Sequence, residues 1–195
     1  MKKHALTFFD EVSKVSSLID TNKIDDFATK LNQLRKRNGR LFFLGVGGGA
    51  GNCSHAVNDF RKLCNIESYC ITDNVSELTA RTNDEGWNTS FSEWLKISKL
   101  SKNDAIFILS VGGGDIKKKV SVNIVNAARY AKKKGSNIFG VIGNKQGFIN
   151  KISSNVIVVP SFTPNYKTPI VESFQVVIWH SLVSHPVLQK NKTKW

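Results

Sequence analysis

Two short apolar runs in this chain each end in a group of three glycines and then enter a segment with helical character. The first run, residues 41–44, leads into glycines 47–49, and the second, residues 105–110, leads into glycines 112–114. An apolar run of this length followed by glycines predicts a buried parallel strand that opens onto a loop. Because glycine has no Cβ, a ligand can approach such a loop and bind several main-chain N–H groups. The two runs therefore predict a ligand crevice at the carboxyl ends of neighbouring strands.

Apolar segments of strand length alternate with segments of helical periodicity along most of the chain. Strands are predicted at 41–44, 68–71, 105–110, 137–142 and 156–159, and helices at 52–64, 75–82, 88–98, 116–134, 146–152 and 169–184. This alternation is typical of an α/β fold in which helices cover both faces of a parallel sheet. The sequence therefore predicts a three-layer sandwich.

Two amphipathic segments precede the first strand. Apolar residues recur at helical spacing before and after a break at Thr21–Asn22, so residues 1–38 are expected to form a helical hairpin. Residues 39–188 then form the α/β core, and residues 189–195 are expected to be a loose tail. At 195 residues the chain is long enough for one domain with a full core.

The N-terminus and the apolar runs bear on where the protein resides. Asp10 and Glu11 follow the start too early for a signal-peptide core, and no run approaches the ~20 residues of a membrane span. A soluble, cytoplasmic protein with no membrane partner is therefore expected. The three cysteines have no C-x-x-C spacing and are expected to be buried free thiols.

A formal net charge of +13 raises the question of an anionic partner. The lysines and arginines lie in short clusters without interleaved aromatic residues, and no nucleic-acid-binding signature is present. Nucleic acid is therefore not expected as a partner. The charge indicates a solvated basic surface, which can also steer a small anionic substrate toward a cleft.

Two polar pairs interrupt predicted helices at spacings that put both members on one face. His55 and Asp59 are four residues apart, and Glu172 and His180 are eight residues apart. A His/carboxylate pair at this spacing suits a divalent metal ion, although a surface ion pair has the same spacing and a core histidine would also explain His180. Two helical turns separate Glu172 from His180 by ~12 Å, so both can bind one ion only by leaning together or across a subunit interface.

Together these features resemble the phosphoheptose isomerases of the sugar isomerase (SIS) superfamily. In that family a glycine-rich loop leads into a helix with a His-x-x-x-Glu pair, which His55 and Asp59 match. A segment Asn-Asp-x-Gly-aromatic-Asn is matched by residues 83–88, after an Asp-Val-Ser-like stretch at 73–76. The last helix of the family carries Gln and His eight residues apart, where this chain has Glu and His. The resemblance covers nearly the whole chain and implies a single SIS domain over residues 1–195.

The resemblance also implies a chemistry. The family interconverts an aldose and a ketose phosphosugar, here sedoheptulose 7-phosphate and D-glycero-D-manno-heptose 7-phosphate, for heptose-containing surface polysaccharide. It implies one Zn²⁺ per site, held by His55, Asp59, Glu172 and His180, and a homotetramer. Asp59 is the implied base and His180 the implied proton shuttle. A carboxylate committed to a metal is a poor base, so the role of Asp59 stays open at this point.

The implied substrate site differs from the family pattern in its second glycine loop. The family's phosphate loop, Ser-Thr-Ser-Gly-Asn-Ser, is replaced by Ser-Val-Gly-Gly-Gly-Asp at 110–115, which puts an acid where a phosphate-binding serine is expected. Phosphate must then bind to backbone N–H groups and to lysines such as Lys117, or elsewhere. The residues expected to contact substrate are Gly47, Gly48, Gly49, Asn83, Asp84, Ser110, Gly112, Gly113, Gly114 and Asp115.

Two other functions fit the same features. One is a non-catalytic SIS protein, either a sugar-phosphate sensor or an adaptor of the DnaA initiator-associating type. The other is an isomerase of a different phosphosugar. A nucleotide cofactor is not expected, because the first loop does not keep the G-x-G-x-x-G register of dinucleotide-binding proteins.

Overall fold

The computed structural model describes residues 3–194, so Met1, Lys2 and Trp195 of the predicted domain lie outside the described residues. Five strands form one sheet in which every neighbouring pair is parallel and the order is β2-β1-β3-β4-β5. The strands are β1 (Leu41–Gly45), β2 (Ser68–Cys70), β3 (Ala105–Ser110), β4 (Asn137–Ile142) and β5 (Val156–Val158). The predicted parallel α/β sheet is therefore confirmed.

Eight α-helices surround this sheet. They are α1 (His4–Ser16), α2 (Thr21–Lys36), α3 (Gly48–Cys64), α4 (Val75–Asp84), α5 (Trp87–Ile97), α6 (Val122–Lys133), α7 (Phe148–Ile152) and α8 (Lys167–Val183), with short 3₁₀ turns at Ile71–Asp73 and Pro164–Tyr166. None of the helices described is long and apolar enough to cross a membrane.

The sheet divides the apolar core into two layers. Phe43 and Phe107 point to one face, where α2, α3 and α8 pack, whereas Phe42 and Ile106 point to the other, where α5 and α6 pack. Successive residues of a strand point to opposite faces, so each buried strand contributes to both layers. The three cysteines are buried and free, as predicted. The three-layer sandwich predicted from the sequence is thus the observed fold.

The N-terminal helical hairpin forms, but the connection between its two helices lies at residues 17–20, before the predicted position at Thr21–Asn22. Asp20 caps α2 by accepting the N–H of Lys23 at 3.2 Å, so the helix starts at Thr21 instead of breaking there. Helix α1 is held by Glu11, whose buried carboxylate accepts the N–H of Phe162 at 3.0 Å. An aspartate at the N-cap satisfies N–H groups that the first helical turn leaves without partners, which explains the boundary.

The helix predicted at 116–134 begins only at Val122. Asp115 and Val120 exchange two main-chain hydrogen bonds of 2.9 Å, which closes a tight turn over residues 115–120. The carboxylate of Asp115 also accepts the N–H of Lys118 at 3.0 Å. Lys119 and Ser121 have positive φ angles of 55° and 51°, which a helix does not allow. Asp115 therefore belongs to a turn and not to a helix.

The described part of the predicted loose tail is attached to the core. Leu188 is fully buried, and the N–H groups of Lys190 and Asn191 both donate to the carbonyl of Leu63, at 2.8 and 3.1 Å. Lys190 and Asn191 of the predicted tail are thus bound to α3. Hydrogen bonds from main-chain N–H groups leave no mark on residue type, so these contacts could not be predicted from the sequence.

Candidate metal and substrate site

The first glycine loop sets the start of α3 against the sheet. Gly47 has a φ of +60° and precedes the helix, a conformation that L-residues rarely adopt. Gly49 lies so close to β3 that a Cβ there would be 2.6 Å from the carbonyl oxygen of Leu109. Because glycine has no side chain, the first turn of α3 can pack directly against the main chain at the carboxyl edge of the sheet. The predicted strand–glycine–helix unit is confirmed, with a helix that starts at Gly48 and not at 52.

Packing between α3 and α8 places the two predicted polar pairs side by side. The Nδ2 atom of Asn52 donates to the carbonyl of Glu172 at 3.0 Å and to Oε1 of Gln175 at 2.9 Å. One turn further along, the buried ring of Trp179 meets the ring of His55 edge-on, with centroids 4.7 Å apart. These contacts fix His180, the next residue on α8, opposite α3.

Three of the four predicted metal ligands come together at this helix pair. Nε2 of His55 lies 3.8 Å and Nε2 of His180 lies 3.6 Å from the same carboxylate oxygen, Oδ2 of Asp59. One donor atom from each residue lies within 4.8 Å of the others. The second carboxylate oxygen, Oδ1, accepts a hydrogen bond of 2.8 Å from Asn58. Asn58 therefore orients the carboxylate so that Oδ2 faces the two imidazoles.

Exposure and charge differ among these three side chains. The Asp59 side chain is 14% exposed, whereas those of His55 and His180 are 57% and 48% exposed. Because it is about half exposed, His180 is not a core histidine, and the alternative interpretation given for it in the sequence is excluded. Partial burial lowers the pKa of His180 below its ordinary value, the charge of His55 adds to that effect, and the Asp59 carboxylate opposes it. His180 is therefore mostly neutral at neutral pH and has a free lone pair.

The donor set fits a zinc ion. Zinc sites with two histidines, one carboxylate and an open position are common in enzymes, and ligand bonds of 2.0–2.2 Å in a tetrahedron separate donor atoms by roughly 3.4 Å. The distances of 3.6 and 3.8 Å from Oδ2 to the two imidazoles come close to that separation. The exposed side of the cluster leaves room for a further ligand or a substrate oxygen.

Glu172 does not join this group in the described chain. Its carboxylate lies against Gly48, in the space that a side chain at position 48 would occupy. That position is the first turn of α3, whose unpaired N–H groups favour a nearby negative charge. Two turns of α8 separate Glu172 from His180, and the other three ligands lie at the His180 end. Three of the four predicted ligands thus meet within the described chain, and a ligand role for Glu172 stays a prediction.

The second glycine loop has a structure of its own. Gly113 donates its N–H to Oγ of Ser110 at 3.1 Å, and its carbonyl accepts from Ile149 at 3.0 Å. The carbonyl of Gly114 accepts the N–H of Phe148 at 2.9 Å, so the loop is hydrogen-bonded to the first turn of α7. Asp115 donates its N–H to Val120, as described above. Two of the N–H groups expected to bind phosphate are therefore already used within the protein.

A shallow cavity of about 340 Å³ lies beside this loop, lined among others by Gly114, Asp115 and Lys117. Hydrogen bonding to the N–H of Lys118 is the main reason that the pKa of Asp115 is lowered, so its carboxyl group stays ionised at neutral pH. A negative group at this position opposes a phosphate dianion. Lys117 and Lys151 line the same cavity, and the part of Lys117 in phosphate binding stays a prediction.

Asn83 and Asp84 occupy the last turn of α4. Both are exposed, and Nδ2 of Asn83 donates to Oδ1 of Asp84 at 2.7 Å. In the described chain neither has a hydrogen bond or ion pair to the three clustered residues. Their part in a sugar pocket stays a prediction.

Some residues that orient or surround the His–Asp–His cluster were not predicted from the sequence. Asn58, which orients Asp59, sits three residues after His55 and could have been found from its helical spacing. Lys62 and Lys194 line the cavity of the His–Asp–His cluster, and only the folded C-terminal segment brings them together.

Comparison with known proteins finds phosphoheptose isomerases among the proteins similar to this chain. No protein-family model matches the chain. The lincomycin biosynthesis protein LmbN of Streptomyces lincolnensis is 32% identical over 75% of this chain and 56% of its own length, so the chain spans little more than half of that relative. A phosphoheptose isomerase of Aneurinibacillus thermoaerophilus is 27% identical over 80% of this chain and 76% of its own length.

Solved structures share the fold. The phosphoheptose isomerase GmhA from Neisseria gonorrhoeae superposes with a TM-score of 0.78 at 18% identity, covering 92% of each chain. A phosphoheptose isomerase from Francisella tularensis gives a TM-score of 0.77 at 15% identity with the same coverage. Sequence and structure agree: the chain is similar to phosphoheptose isomerases in sequence and has their SIS fold.

Proposed function

We propose that this protein is an aldose–ketose isomerase that converts sedoheptulose 7-phosphate to D-glycero-D-manno-heptose 7-phosphate, a precursor of heptose-containing surface polysaccharide. The observation that carries the proposal is the position of Oδ2 of Asp59 between the imidazoles of His55 and His180. This reaction requires a base and a proton carrier side by side in a cavity, and the chain is similar to phosphoheptose isomerases in sequence and in fold.

Isomerisation moves one proton between C1 and C2 of the sugar through a cis-enediol. We assign the transfer at carbon to Oδ2 of Asp59, because Asn58 holds the other oxygen of that carboxylate. His180 is neutral near pH 7, since its pKa is lowered, and its Nε2 atom can accept a proton from one substrate oxygen and return it to the other. Each proton removed from the substrate is thereby matched by one that is added, and the proton held by Asp59 can exchange with solvent before it is delivered to the second carbon.

Zinc would be held by His55, Asp59 and His180. When bound, it supplies a Lewis acid that polarises the substrate carbonyl. The oxygen of Asp59 that faces the two imidazoles is also the oxygen assigned as base. A metal-bound carboxylate is a weaker base, and a metal-bound Nε2 has no free lone pair. The roles of ligand and proton carrier therefore compete at Asp59 and at His180, and a variant of Asp59 that keeps the carboxylate but shifts it separates the two roles for that residue.

We propose further that the protein is a homotetramer and that Glu172 completes the zinc site of a neighbouring subunit. Three observations support this. The two histidines of the zinc site are about half exposed in the single chain, and Glu172 lies two helical turns away from His180. Apolar side chains of α1 and α8 face solvent, with Leu6, Phe9 and Val177 each more than half exposed. A second copy of the chain would cover these apolar side chains.

The substrate contacts proposed at 47–49, Asn83, Asp84 and 110–115 remain part of this proposal. Gly47 and Gly112 leave open space where a side chain would be, so a sugar can approach the backbone there. Because phosphosugars are metabolites of the cytoplasm, we expect the protein to act in that compartment.

A sugar-phosphate sensor is the alternative, and metal content together with turnover separates the two functions. The purified protein is expected to contain one divalent ion per chain and to convert the ketose phosphate, whereas a sensor is expected to bind the sugar phosphate without converting it. A panel of other ketose phosphates tests the substrate. Tight binding without turnover of any phosphosugar, with zinc present, would refute the isomerase proposal.

A further inference from the structure

Two of the three cysteines of this chain meet between α3 and the edge strand β2. Cys53 lies in the second turn of α3 and is fully buried, and Cys70 is the last residue of β2 and is 5% exposed. Both side chains belong to the apolar layer on the α3 side of the sheet. The thiol of Cys53 donates a hydrogen bond to Sγ of Cys70. The two sulfur atoms are therefore in contact, although they belong to different elements.

The surroundings of Cys70 favour its thiolate form. Its Sγ lies 3.0 Å from Oγ1 of Thr72, and the main-chain N–H of Thr72 also donates to it. The hydrogen bond from Cys53 has the largest effect, and together with those from Thr72 it lowers the pKa of Cys70, although burial and the charge of Asp73 oppose the shift. Because the thiolate is the nucleophilic form of cysteine, these contacts activate Cys70.

Cys70 is also the member of the pair that a small molecule can reach. It lines a cavity of about 480 Å³ between α3, β2 and α4, together with Arg61, Tyr69 and Asp73. Tyr69 is 40% exposed, so the cavity opens to solvent. Cys53 does not line this cavity. A small oxidant that enters the cavity therefore meets Cys70 first.

Cys64, the third cysteine, has a different environment. Its Sγ donates to the carbonyl of Val183 at 3.8 Å, and burial raises its pKa to about 12. The side chain is fully buried. A buried thiol that keeps its proton is inert toward oxidants, so Cys64 is an internal comparison for the other two.

The contact between Cys53 and Cys70 lies at the turn of α3 that precedes His55. Ser54, the next residue of α3, donates its hydroxyl to Oδ1 of Asp73. Two consecutive residues of α3 are thus bound to the segment 70–73, and His55 of the His–Asp–His cluster follows them directly. A covalent bond between the two sulfur atoms would fasten the helix of the cluster to the edge of the sheet.

We propose that Cys53 and Cys70 are a redox pair that a peroxide oxidises to a disulfide. This inference does not depend on the proposed isomerase function. Disulfides of proteins in a reducing compartment are usually transient and often serve to sense oxidants, and a dithiol reverses this one.

The reaction takes two steps. The Cys70 thiolate attacks one oxygen of hydrogen peroxide, the O–O bond breaks, and the sulfur becomes a sulfenic acid while the other oxygen leaves as hydroxide. Sγ of Cys53 then attacks Sγ of Cys70, the S–O bond breaks and the S–S bond forms. The two thiol protons convert both departing hydroxides to water. Two thiols thereby lose two electrons, which the peroxide gains.

Peptide mapping of the oxidised protein tests the pair without any substitution. The reduced protein is treated with hydrogen peroxide, free thiols are blocked with iodoacetamide, and the chain is cleaved after lysine, arginine and glutamate. This cleavage puts Cys53, Cys64 and Cys70 in separate peptides, 41–61, 63–67 and 68–77. We expect 41–61 to be cross-linked to 68–77 and 63–67 to be alkylated. Two of the three thiols should be lost, and dithiothreitol should restore them.

Single alanine variants separate the two steps. Cys64→Ala is the matched control and should form the same cross-link. Cys53→Ala leaves Cys70 without a second thiol, so we expect its sulfenic acid to be trapped by dimedone. Three free thiols after prolonged exposure of the wild type to excess peroxide would overturn the proposal, and so would a cross-link to 63–67 instead of 68–77.

Discussion

Asp59 and His180 belong to different helices, and their Oδ2 and Nε2 atoms lie 3.6 Å apart. The contact exists because α3 and α8 pack closely, with Asn52 hydrogen-bonded to the α8 main chain and Trp179 buried against His55. Nothing local to either helix brings the two side chains together. The chemistry of the site therefore depends on the packing of two helices that lie far apart in the sequence.

Replacement of His180 tests the proton carrier. His180→Gln removes the titratable nitrogen, and we expect turnover to fall by at least ~100-fold, the usual cost of losing a general acid or base. The side chain is about half exposed, so the thermal melting midpoint should stay within a few degrees of the wild type.

His185→Gln is the matched control. His185 lies five residues beyond His180, outside the cluster, and its Nε2 is 3.3 Å from Oδ1 of Asp25 on α2. Its replacement should leave kcat within about twofold of the wild type, because this contact is exposed and contributes little. Equal loss of turnover in both variants would contradict the assignment of His180.

Two replacements of Asp59 distinguish charge from geometry. Asp59→Asn keeps the shape but cannot accept a proton or bind zinc as an anion, so we expect kcat to fall ~10²–10⁴-fold and zinc to dissociate readily. Asp59→Glu keeps the charge on a longer side chain, and we expect it to retain zinc and more activity than the asparagine variant. Kinetics and metal analysis of the two proteins give the comparison, and an asparagine variant as active as the wild type would exclude Asp59 as base.

The pH profile should reflect the environment of His180. Its pKa lies below the ordinary value of 6.5, because partial burial and then the charge of His55 outweigh the attraction of Asp59. A lowered pKa means that the neutral imidazole persists to lower pH, so kcat/KM should stay level near pH 7 and fall only on acidification through a midpoint below 6.5. A profile of kcat/KM from pH 5 to 8 measures this, and a midpoint above 6.5 would argue against a neutral His180 as the working form.

Subunit mixing tests the position of Glu172. If Glu172 serves a neighbouring subunit, then Glu172→Ala and His180→Gln proteins should each be inactive alone but should form active sites when their subunits exchange. Turnover is measured after partial denaturation and refolding of the mixture. No recovery in a mixture shown by native mass spectrometry to contain hybrids would place Glu172 and His180 in independent sites.

The fold follows from the sequence to a large extent, because strands buried on both faces and helices with one apolar face leave periodic patterns. The first glycine loop and the spacing of His55 and Asp59 were also sufficient to predict their place on α3. The resemblance to known isomerases predicts that His180 belongs to the same site, and the packing of α8 on α3 brings His180 beside His55 and Asp59.

Other features could not be predicted because they depend on contacts between distant segments. Lysines 117–119 suggest a helix, but hydrogen bonds between Asp115 and Val120 close a turn there instead. Asn191 is polar and near the end of the chain, which suggests a loose tail, yet it caps α3. Glu172 is expected to share a face of its helix with His180, and only the packing of α8 on α3 shows that its carboxylate lies against Gly48. These details depend on the surface against which each segment packs.

Solvent exchange at the substrate carbon is the most direct test of the central claim that the His55–Asp59–His180 cluster isomerises a phosphosugar. Sedoheptulose 7-phosphate is incubated in D₂O with the zinc-loaded protein, and the sugar phosphates are followed by proton NMR and mass spectrometry. Conversion to the aldose phosphate with deuterium at C2, abolished in His180→Gln and retained in His185→Gln, is the predicted result. No conversion and no deuterium incorporation, while an authentic phosphoheptose isomerase works in parallel, would contradict it.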